Sequence, residues 1–367
     1  MIPSAYIHVP FCSTLCTYCA FAKTTALSLI DPWLDELEKE ISLALKQARE
    51  ADPDFSLQTI YIGGGTSSVL SADQLERLCR LLKPVFSCDG EWTVELNPES
   101  ADRKKLEILK KYGVNRLSIG LQSFNDHRLQ ALGRHHDAYQ GRRVIEMARD
   151  LGFDNISADL MYGFADQSME ELEADLDQFL SLDLDHLSIY SLIREPDTIL
   201  TATVKEEMDE DLNALMYERI ETVLEQNGFD HYEVSSYARS GKQGRHNSLI
   251  WQDGRYYGFG YGAIGRDEKG LYHHAGTLMD YIRHQSPIVY EEDENPWFDA
   301  IMTALRTRQG LDIRKWNERY GFDFESRYAS VLDKYEEFLI HKGDFLSVNP
   351  KGMEMLDSIL VDFLQVD

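Results

Sequence analysis

Three cysteines lie close together near the amino terminus, and this cluster constrains the chain more than any other feature. Cys12, Cys16 and Cys19 follow a short alternating segment, Ala5–Val9, which has the pattern of a β-strand. The chain has five cysteines in total, and an odd, clustered set is a poor disulfide framework. The spacing instead favours a metal or redox site in a reducing compartment.

Three thiolates on one loop suit an iron–sulfur cluster with one open iron. A cubane cluster normally binds four thiolates, so a loop that supplies three leaves one iron for a ligand that is not protein. A zinc site built from the three cysteines and His8 is the alternative that these residues leave open. Cys79 and Cys88 lie far downstream, and we expect them to pack as small apolar side chains.

Charge and hydropathy exclude several classes of protein. The sequence carries 37 Lys and Arg against 63 Asp and Glu, a net charge of −26, so it should repel nucleic-acid backbones and anionic lipid. No apolar run approaches the roughly 18 residues of a membrane span, and the amino terminus lacks the pattern of an export signal. We therefore expect a cytoplasmic protein that binds neither nucleic acid nor a membrane.

Strand and helix patterns alternate six times in the first part of the chain. The predicted strands are Ala5–Val9, Gln58–Ile62, Trp92–Leu96, Arg116–Leu121, Ile156–Leu160 and His186–Leu192. Such alternation indicates parallel βαβ units of an α/β fold. Six units are fewer than the eight of a closed barrel, so we predict an open, partial (β/α)6 barrel. A doubly wound sheet is the alternative.

The pattern changes after the predicted barrel, which gives three predicted domains. Residues 1–228 form the barrel, and residues 229–295, rich in Tyr, Gly and His, form an α/β extension that ends in a charged linker candidate, 291–296. Residues 296–367 contain helices and a short hairpin predicted around Asn349-Pro350, an order that resembles a winged-helix module. Its acidic balance argues against DNA binding.

Polar residues collect at the predicted carboxyl ends of the strands, where α/β barrels bind ligands. Glu95 ends the third strand, Gln122 follows the fourth, Asp159 lies near the end of the fifth and Tyr190 near the end of the sixth. A glycine triplet follows the second strand, where a backbone without side chains can approach a ligand closely. Each feature alone also has a structural explanation, such as a solvated strand end for Glu95. Because all of these strand ends lie at the same edge of the predicted barrel, the residues together predict one binding site.

The segment YIHVPFCSTLCTYCAF resembles the cluster motif of radical S-adenosylmethionine (SAM) enzymes, and its lead-in resembles the coproporphyrinogen-oxidase-like branch of that family. The resemblance implies a partial radical-SAM barrel in which Cys12, Cys16 and Cys19 hold a [4Fe-4S] cluster. It further implies that SAM completes the fourth iron. A reductant such as flavodoxin or ferredoxin would supply the electron that cleaves SAM to a deoxyadenosyl radical.

Four further segments resemble SAM-site segments of the same family: IYIGGGTSSVL, TVELNPES, RLSIGLQSFNDHRLQALGRHHDA and ISADLMYGFADQ. By motif position the resemblance implies SAM contacts at Tyr6, Tyr18, Gly64, Gly65, Thr66, Glu95, Gln122, Arg134, Asp159, Ile193 and Ile264. On the residues alone, Arg134 is better explained as a surface ion pair than as a clamp for a carboxylate.

Two functions of different classes remain within this branch. One is the oxygen-independent coproporphyrinogen III oxidase, and the other is a chaperone that carries heme to acceptor proteins. The cluster motif of the oxidase resembles C-x3-C-x2-C-x-C, which has a fourth cysteine. In this chain Phe21 occupies the position of that fourth cysteine. The chain therefore resembles the heme chaperone more closely, and the resemblance is compatible with a homodimer.

The segment Arg245–Trp251 carries the second distinguishing feature. It resembles the His-Asn-x-x-Tyr-Trp heme motif of the chaperone, with Ile250 in place of the Tyr. A neutral imidazole is a common axial ligand of heme iron, so the resemblance implies that His246 binds heme. On the residues alone, a loop histidine that bonds to backbone is the more usual explanation. Heme carriage is the predicted function, and the oxidase is the alternative.

Overall fold

The computed structural model describes residues 2–204, 209–292 and 295–366. The chain divides into two compact units, Met1–Met216 with Arg255–Glu291, and Tyr217–Gly254 with Glu292–Asp367. The predicted domain boundaries after residues 228 and 295 stay a prediction. The predicted charged linker, 291–296, lies in part outside the described residues, at Asp293 and Glu294.

The amino-terminal part of the first unit alternates between strands and helices. Its strands are β1 (Ser4–Val9), β2 (Leu57–Gly64), β3 (Phe86–Leu96), β4 (Arg116–Gln122), β5 (Ile156–Tyr162) and β6 (His186–Ser191). Its helices are α1 (Ile30–Ala51), α2 (Ala72–Leu82), α3 (Arg103–Tyr112), α4 (Asp126–Ala131), α5 (Ala138–Asp150), α6 (Met169–Ser181) and α7 (Ile199–Thr203). The strands are parallel in the order β6-β5-β4-β3-β2-β1, which confirms the predicted partial (β/α)6 barrel.

The chain continues through a helix of 17 residues and then through short elements. They are α8 (Glu210–Gln226), β7 (Asp230–Glu233), β8 (Ser236–Ala238), α9 (Arg245–Trp251), β9 (Tyr257–Phe259), β10 (Ile264–Arg266), β11 (Leu271–His274), α10 (Leu278–Ile282) and β12 (Ile288–Tyr290). Within the first unit, β9 adds to the barrel sheet by pairing in parallel with β1. Strands β10, β11 and β12 form a separate antiparallel sheet.

The second unit ends in a module of helices with a small sheet. Its elements are α11 (Pro296–Leu305), β13 (Leu311–Asp312), α12 (Ile313–Tyr320), α13 (Phe324–Arg327), α14 (Ala329–Lys334), β14 (Leu339–Lys342), β15 (Phe345–Val348), α15 (Pro350–Glu354) and α16 (Leu356–Leu364). The hairpin turns at Gly343, whose φ is 62°, and not around Asn349-Pro350. Asn349 instead accepts a hydrogen bond from Gly352 N and caps α15, because proline fits the first turn of a helix better than a strand.

Helix starts follow the capping chemistry of the sequence. Ser71 and Ser168 form capping boxes with the residues three positions later, as their patterns predict. The first helix differs, because Asp31 followed by Pro32 predicts a helix capped by Asp31, whereas the helix begins at Ile30. A 3-10 turn, Leu27–Leu29, leads directly into the helix, so no capping side chain is required there. Asp31 instead accepts a hydrogen bond from Gln74.

The barrel strands carry apolar side chains on one face and polar side chains on the other. On β4, Leu121 packs toward Gly141 of α5, where a Cβ atom would meet its side chain at 2.8 Å. The alternation of strand side chains then directs Arg116 and Ser118 to the opposite, inner face. Arg116 is 4% exposed and Ser118 is 3% exposed. The barrel therefore has an apolar outer layer under its helices and a polar interior.

Candidate functional site

The cysteine loop follows β1 and is pinned by backbone hydrogen bonds. Cys12 N donates to Thr24 O at 3.0 Å, and Thr24 N donates to Pro10 O at 2.8 Å, which closes the base of the loop. Thr17 N donates to Leu132 O at 3.0 Å. The Thr17 bond fixes the backbone between the second and third cysteines against the segment that follows α4.

The three thiols lie close enough to interact electrostatically. Cys12 is 7% exposed, and Cys16 and Cys19 are partly buried. Burial is the main cause that raises the pKa of the Cys12 thiol, and the two neighbouring thiols raise it further. Thr66, one of the predicted site residues, donates a hydrogen bond to Cys12 Sγ at 3.6 Å. The raised pKa favours the protonated thiol. A cationic metal centre would favour the thiolate instead, because coordination stabilises the thiolate.

The geometry argues against the alternative zinc site with His8. His8 Nε2 lies 2.8 Å from the carbonyl oxygen of Ala22, so it must carry the proton that it donates. Its Nδ1 then accepts from Tyr6 Oη at 2.9 Å, which leaves neither ring nitrogen for a metal. In the described part of the chain, no three His, Cys, Asp or Glu side chains are grouped to hold a single metal ion. The donor set of three thiols suits a larger cluster.

Two carboxylates, Glu95 and Asp159, face the barrel interior. Tyr61 Oη donates to Glu95 at 2.7 Å, and Gly64 N donates to it at 3.2 Å. Ser118 Oγ lies 3.1 Å and 3.2 Å from the two oxygens of Asp159. Burial raises the pKa of Glu95 to about 7 and that of Asp159 to about 6, although these hydrogen bonds oppose the shift.

The raised pKa values show that the hydrogen bonds and charges around Glu95 and Asp159 do not fully offset the effect of burial. The negative charge of Asp159 is among the causes that raise the pKa of Glu95, so the two groups lie within electrostatic range of each other. Arg116 lowers both pKa values. SAM offers an ammonium group and two ribose hydroxyls, and groups of that chemistry would stabilise both carboxylates in their ionised forms. The donor set therefore fits the cofactor that the sequence predicts.

Arg134 lies beside the cysteine loop and is not the surface ion pair that the residues alone favoured. It is 7% exposed, and its Nη2 donates to Gly120 O at 2.8 Å. Its Nη1 is 3.9 Å from Cys16 Sγ, and its Nε is buried without a hydrogen-bond partner. Glu99 completes the cluster at 3.5 Å. A buried cation with a spare donor next to a thiol suits an anionic ligand at the loop.

The glycine triplet brings backbone against the cluster loop. Gly64 has a φ of 111°, and a Cβ atom there would meet the His8 ring at 2.7 Å. A Cβ atom on Gly65 would meet Cys12 Sγ at 2.9 Å and Phe11 O at 2.9 Å. Glycine is therefore required at both positions by space, and at Gly64 also by backbone conformation.

The remaining predicted SAM residues of the first unit are spread more widely. Tyr6 and Tyr18 are partly buried, and burial raises the pKa of both phenols well above the usual range. Gln122 has a φ of 67°, a left-handed conformation that is uncommon for a residue other than glycine and that clusters at functional sites. Ile193 and Ile264 are 67% and 43% exposed, and neither belongs to the hydrogen bonds and close contacts described for this site.

Several polar residues of the interior were missed by sequence reasoning. Tyr61, Arg116 and Ser118 touch or act on the two carboxylates, and Ser188 bonds to Asp159. The signal that identifies them is the polar residue at every second position of a strand, as in Arg116, Ser118 and Gly120. Such alternation marks an inner face that carries ligands.

His246, the predicted heme ligand, lies in the second unit in the first turn of α9. It is 2% exposed. At the other end of α9, Trp251 Nε1 donates to Glu233 at 3.1 Å, and the Arg306 guanidinium lies 5.9 Å from the indole ring. Burial raises the pKa of Glu233. Ile250, which replaces the motif tyrosine, is half-buried.

A parallel barrel with three thiols on the loop after its first strand is the architecture of radical SAM proteins. Residues 6–179 match the family model of the Radical SAM superfamily, and residues 292–355 match that of the HemN C-terminal domain. Within the described residues, no helix is long and apolar enough to cross a membrane.

The chain is similar over its full length to curated proteins. It is 37% identical to the heme chaperone HemW of Bacillus subtilis over 93% of both chains. It is 36% identical to the heme chaperone HemW of Escherichia coli over 98% of both chains. The chain therefore belongs to the heme chaperone HemW family of radical SAM proteins.

A solved structure shares the fold. The coproporphyrinogen III oxidase HemN of Escherichia coli, a radical SAM enzyme, aligns with a TM-score of 0.81 over 98% of this chain and 89% of its own. The sequence identity is 22%, so the likeness concerns the fold. Family membership implies a [4Fe-4S] cluster and SAM.

Proposed function

We propose that this protein binds heme and passes it to heme-accepting proteins. The observation that carries the proposal is the full-length match, at 37% and 36% identity, to relatives named heme chaperone HemW. Phe21 at the position of the oxidase's fourth cysteine supports the same choice. Reduction by a flavodoxin-like or ferredoxin-like protein, a homodimer and a cytoplasmic location belong to the proposal as expectations.

The first unit supplies the cofactor site of this proposal. Cys12, Cys16 and Cys19 would hold a [4Fe-4S] cluster, which supplies an electron to SAM when both are bound. Arg134 is the proposed partner of the SAM carboxylate, since its Nη1 lies beside the Cys16 thiol and its buried Nε has no hydrogen-bond partner. Glu95 and Asp159 would accept hydrogen bonds from the ammonium or ribose hydroxyls of SAM, and the loss of their protons accompanies that binding.

Other predicted residues shape the site. Gly64 and Gly65 keep the backbone close to the cluster loop, and Thr66 bonds to Cys12 Sγ. The aromatic rings of Tyr6 and Tyr18 exclude water from the interior, which protects a cluster from oxidation. Gln122, Ile193 and Ile264 complete the proposed set of SAM contacts.

The second unit supplies the heme ligand of this proposal. His246 Nε2 is the proposed axial ligand, and Trp251 offers an indole face to the porphyrin. Because His246 is 2% exposed, binding requires the first turn of α9 to open. A seven-residue helix is short enough for such opening to be inexpensive.

Replacement of the ligand tests the heme proposal. We expect His246→Ala to lower the affinity for heme by about tenfold or more, because loss of an axial ligand removes over 1.4 kcal/mol of binding. His246→Gln, which keeps a hydrogen-bonding side chain, controls for folding. His341→Ala, an exposed histidine of the same unit, should bind heme as the parent does. Equal heme affinity for His246→Ala and the parent would refute the assignment.

A turnover assay separates the proposed carrier from the oxidase. Anaerobically reconstituted protein is incubated with SAM, reductant and coproporphyrinogen III. We expect no protoporphyrinogen, together with stoichiometric heme uptake by the same preparation. Formation of protoporphyrinogen over many turnovers would establish the oxidase instead.

A further inference from the structure

The second unit contains a cavity of about 300 Å³ at the end of α9. Trp251 lies on its wall, so the cavity adjoins the last residue of the heme-motif segment. Four aromatic residues and two basic residues of the lining carry the inference: Trp251, Trp316, Tyr320, Phe345, Lys315 and Arg319.

Helix α12 supplies both kinds of residue to this cavity. Lys315 and Arg319 are four positions apart, and so are Trp316 and Tyr320, so the helix carries a basic stripe beside an aromatic stripe. The two rings lie 5.3 Å apart at an interplanar angle of 57°. One short helix thus brings two cations to the edge of an apolar wall.

The polar edges of the aromatic wall are held by the protein. Trp316 Nε1 donates to Trp297 O at 2.9 Å, and Tyr320 Oη donates to Pro296 O at 2.9 Å. These bonds fix the orientation of both side chains. The side chains of the wall are therefore held in place before a ligand binds, which lowers the entropic cost of binding.

The charges at the mouth are arranged with the cations outward. Lys315 is paired with Asp312 at 3.2 Å, and the two side chains are 73% and 15% exposed. Arg319 is paired with Asp253, and these side chains are 52% and 14% exposed. In each pair the carboxylate lies in the wall and the cation faces solvent. Each pair is neutral as a whole, but its cationic end is the part that an approaching anion meets first.

We propose that this cavity binds the propionate-bearing edge of a porphyrin, with the ring against the aromatic wall and the carboxylates at Lys315 and Arg319. The inference rests on the proposed function and names the residues that recognise its cargo. A porphyrin is a flat apolar ring with two carboxylates on one edge, which matches an aromatic wall bordered by two cations. A cavity of this size encloses an edge of the ring and leaves the iron outside, accessible to an axial ligand.

The dimensions of α9 are compatible with one porphyrin spanning both features. His246 and Trp251 lie five residues apart at its two ends, which is about 7.5 Å along a helix axis. This is comparable to half the width of a porphyrin with its propionate arms. In this proposal the carboxyl-terminal module takes part in recognising the porphyrin.

Metal-free protoporphyrin IX tests this cavity separately from the iron ligand. The full chain is titrated with this porphyrin, and binding is followed by quenching of tryptophan fluorescence. We expect Lys315→Gln combined with Arg319→Gln to weaken binding by about tenfold, from the loss of two charge-assisted contacts. Because this porphyrin carries no iron, its binding does not depend on His246 as an iron ligand. A failure of the ligand assignment therefore stays distinct from a failure of this proposal.

Three controls sharpen the test. Arg314→Gln changes one charge on the same helix outside the cavity lining, and we expect unchanged binding. The dimethyl ester of protoporphyrin IX lacks free propionates, and it should bind the parent and the double variant equally. Lys315→Glu alone, at a side chain that is 73% exposed, should weaken binding without loss of thermal stability. Parent-like affinity of the double variant and of Lys315→Glu, or an equal loss in Arg314→Gln, would overturn the proposal.

Discussion

At the scale of residues, the interior of the barrel holds ionisable groups in unusual states. Glu95 and Asp159 are carboxylates that the fold holds partly protonated near neutral pH, because burial disfavours their charge. Arg134 is a buried cation with a spare donor. Such groups destabilise the protein when no ligand is bound, and they fit a ligand that carries complementary charge. Substitutions of these residues are therefore expected to change both the stability of the protein and its affinity for the ligand.

Glu95→Gln should raise stability and lower SAM affinity. The pKa of Glu95 in the fold, about 7, lies above its ordinary value of 4.5. The unfolded chain therefore releases this proton first, and stability falls as pH rises from 4.5 to 7. We expect Glu95→Gln to remove that loss and to stabilise the SAM-free protein at pH 8 by on the order of 1–2 kcal/mol, with little effect at pH 4.5.

The same variant should bind SAM about tenfold more weakly, since a charge-assisted hydrogen bond is lost. Thermal unfolding at the two pH values and calorimetric titration with SAM measure the two effects. Glu107→Gln, on the exposed side of α3, should change neither. Unchanged SAM affinity for Glu95→Gln would remove this residue from the proposed site.

At the scale of elements, the loop after β1 and the turn after β2 are built as one structure. Parallel pairing places Val9 beside Gly64, so the cysteine loop and the glycine turn leave the sheet together. Gly65 N donates to Val9 O at 2.8 Å, which ties the two segments. The cluster site therefore depends on a turn that lies more than forty residues after the last cysteine of the loop.

Gly65→Ala should impair the cluster. A Cβ atom at this position would approach Cys12 Sγ to 2.9 Å, closer than packing permits, and Phe11 O to the same distance. We expect reconstituted iron to fall to less than about half of the four atoms per chain of a full cluster. Iron and sulfide analysis measure this effect.

Gly241→Ala is the matched control, because it has a φ of 77° and no atom within 4 Å of the new Cβ. Backbone strain there should cost about 1 kcal/mol and leave the iron content unchanged. Full iron occupancy in Gly65→Ala would contradict the close packing of the turn against the cluster loop.

At the scale of the whole molecule, the proposed cluster site and the proposed heme site belong to different compact units. Cys12, Cys16 and Cys19 lie in the first unit, and His246 lies in the second. The second unit has its own core, in which Trp316, Phe324, Tyr328 and Phe363 are buried. Each unit thus has the packing that its own site needs.

A cluster-free protein should therefore still bind heme. We expect replacement of all three loop cysteines by alanine to abolish iron binding on reconstitution, and to change the heme affinity by less than about twofold. Iron analysis and heme titration of the same preparation measure both effects. Cys88→Ala, which removes one exposed thiol outside the loop, should retain the cluster. Loss of heme binding in the triple variant would show that the two sites are coupled.

The sequence alone determined the elements and the chemistry of the loop. Strand and helix order, the capping boxes at Ser71 and Ser168, and three thiols in one short segment are local features, and local features are encoded by spacing and side-chain type. The strand pattern already predicts Glu95 and Asp159 as site residues, because both lie at strand ends. Arg134 is predicted as a ligand-binding residue only by the resemblance of its motif to a known family.

Only the tertiary structure decided which partners these residues have. Burial of Arg134 and the hydrogen bonds of Ser118 to Asp159 depend on contacts between segments far apart in the chain. The cations at the cavity beside Trp251 likewise depend on the packing of α12. A pKa, a free donor or a pocket is a property of the surroundings of a side chain, and parallel strands bring those surroundings together from distant parts of the sequence.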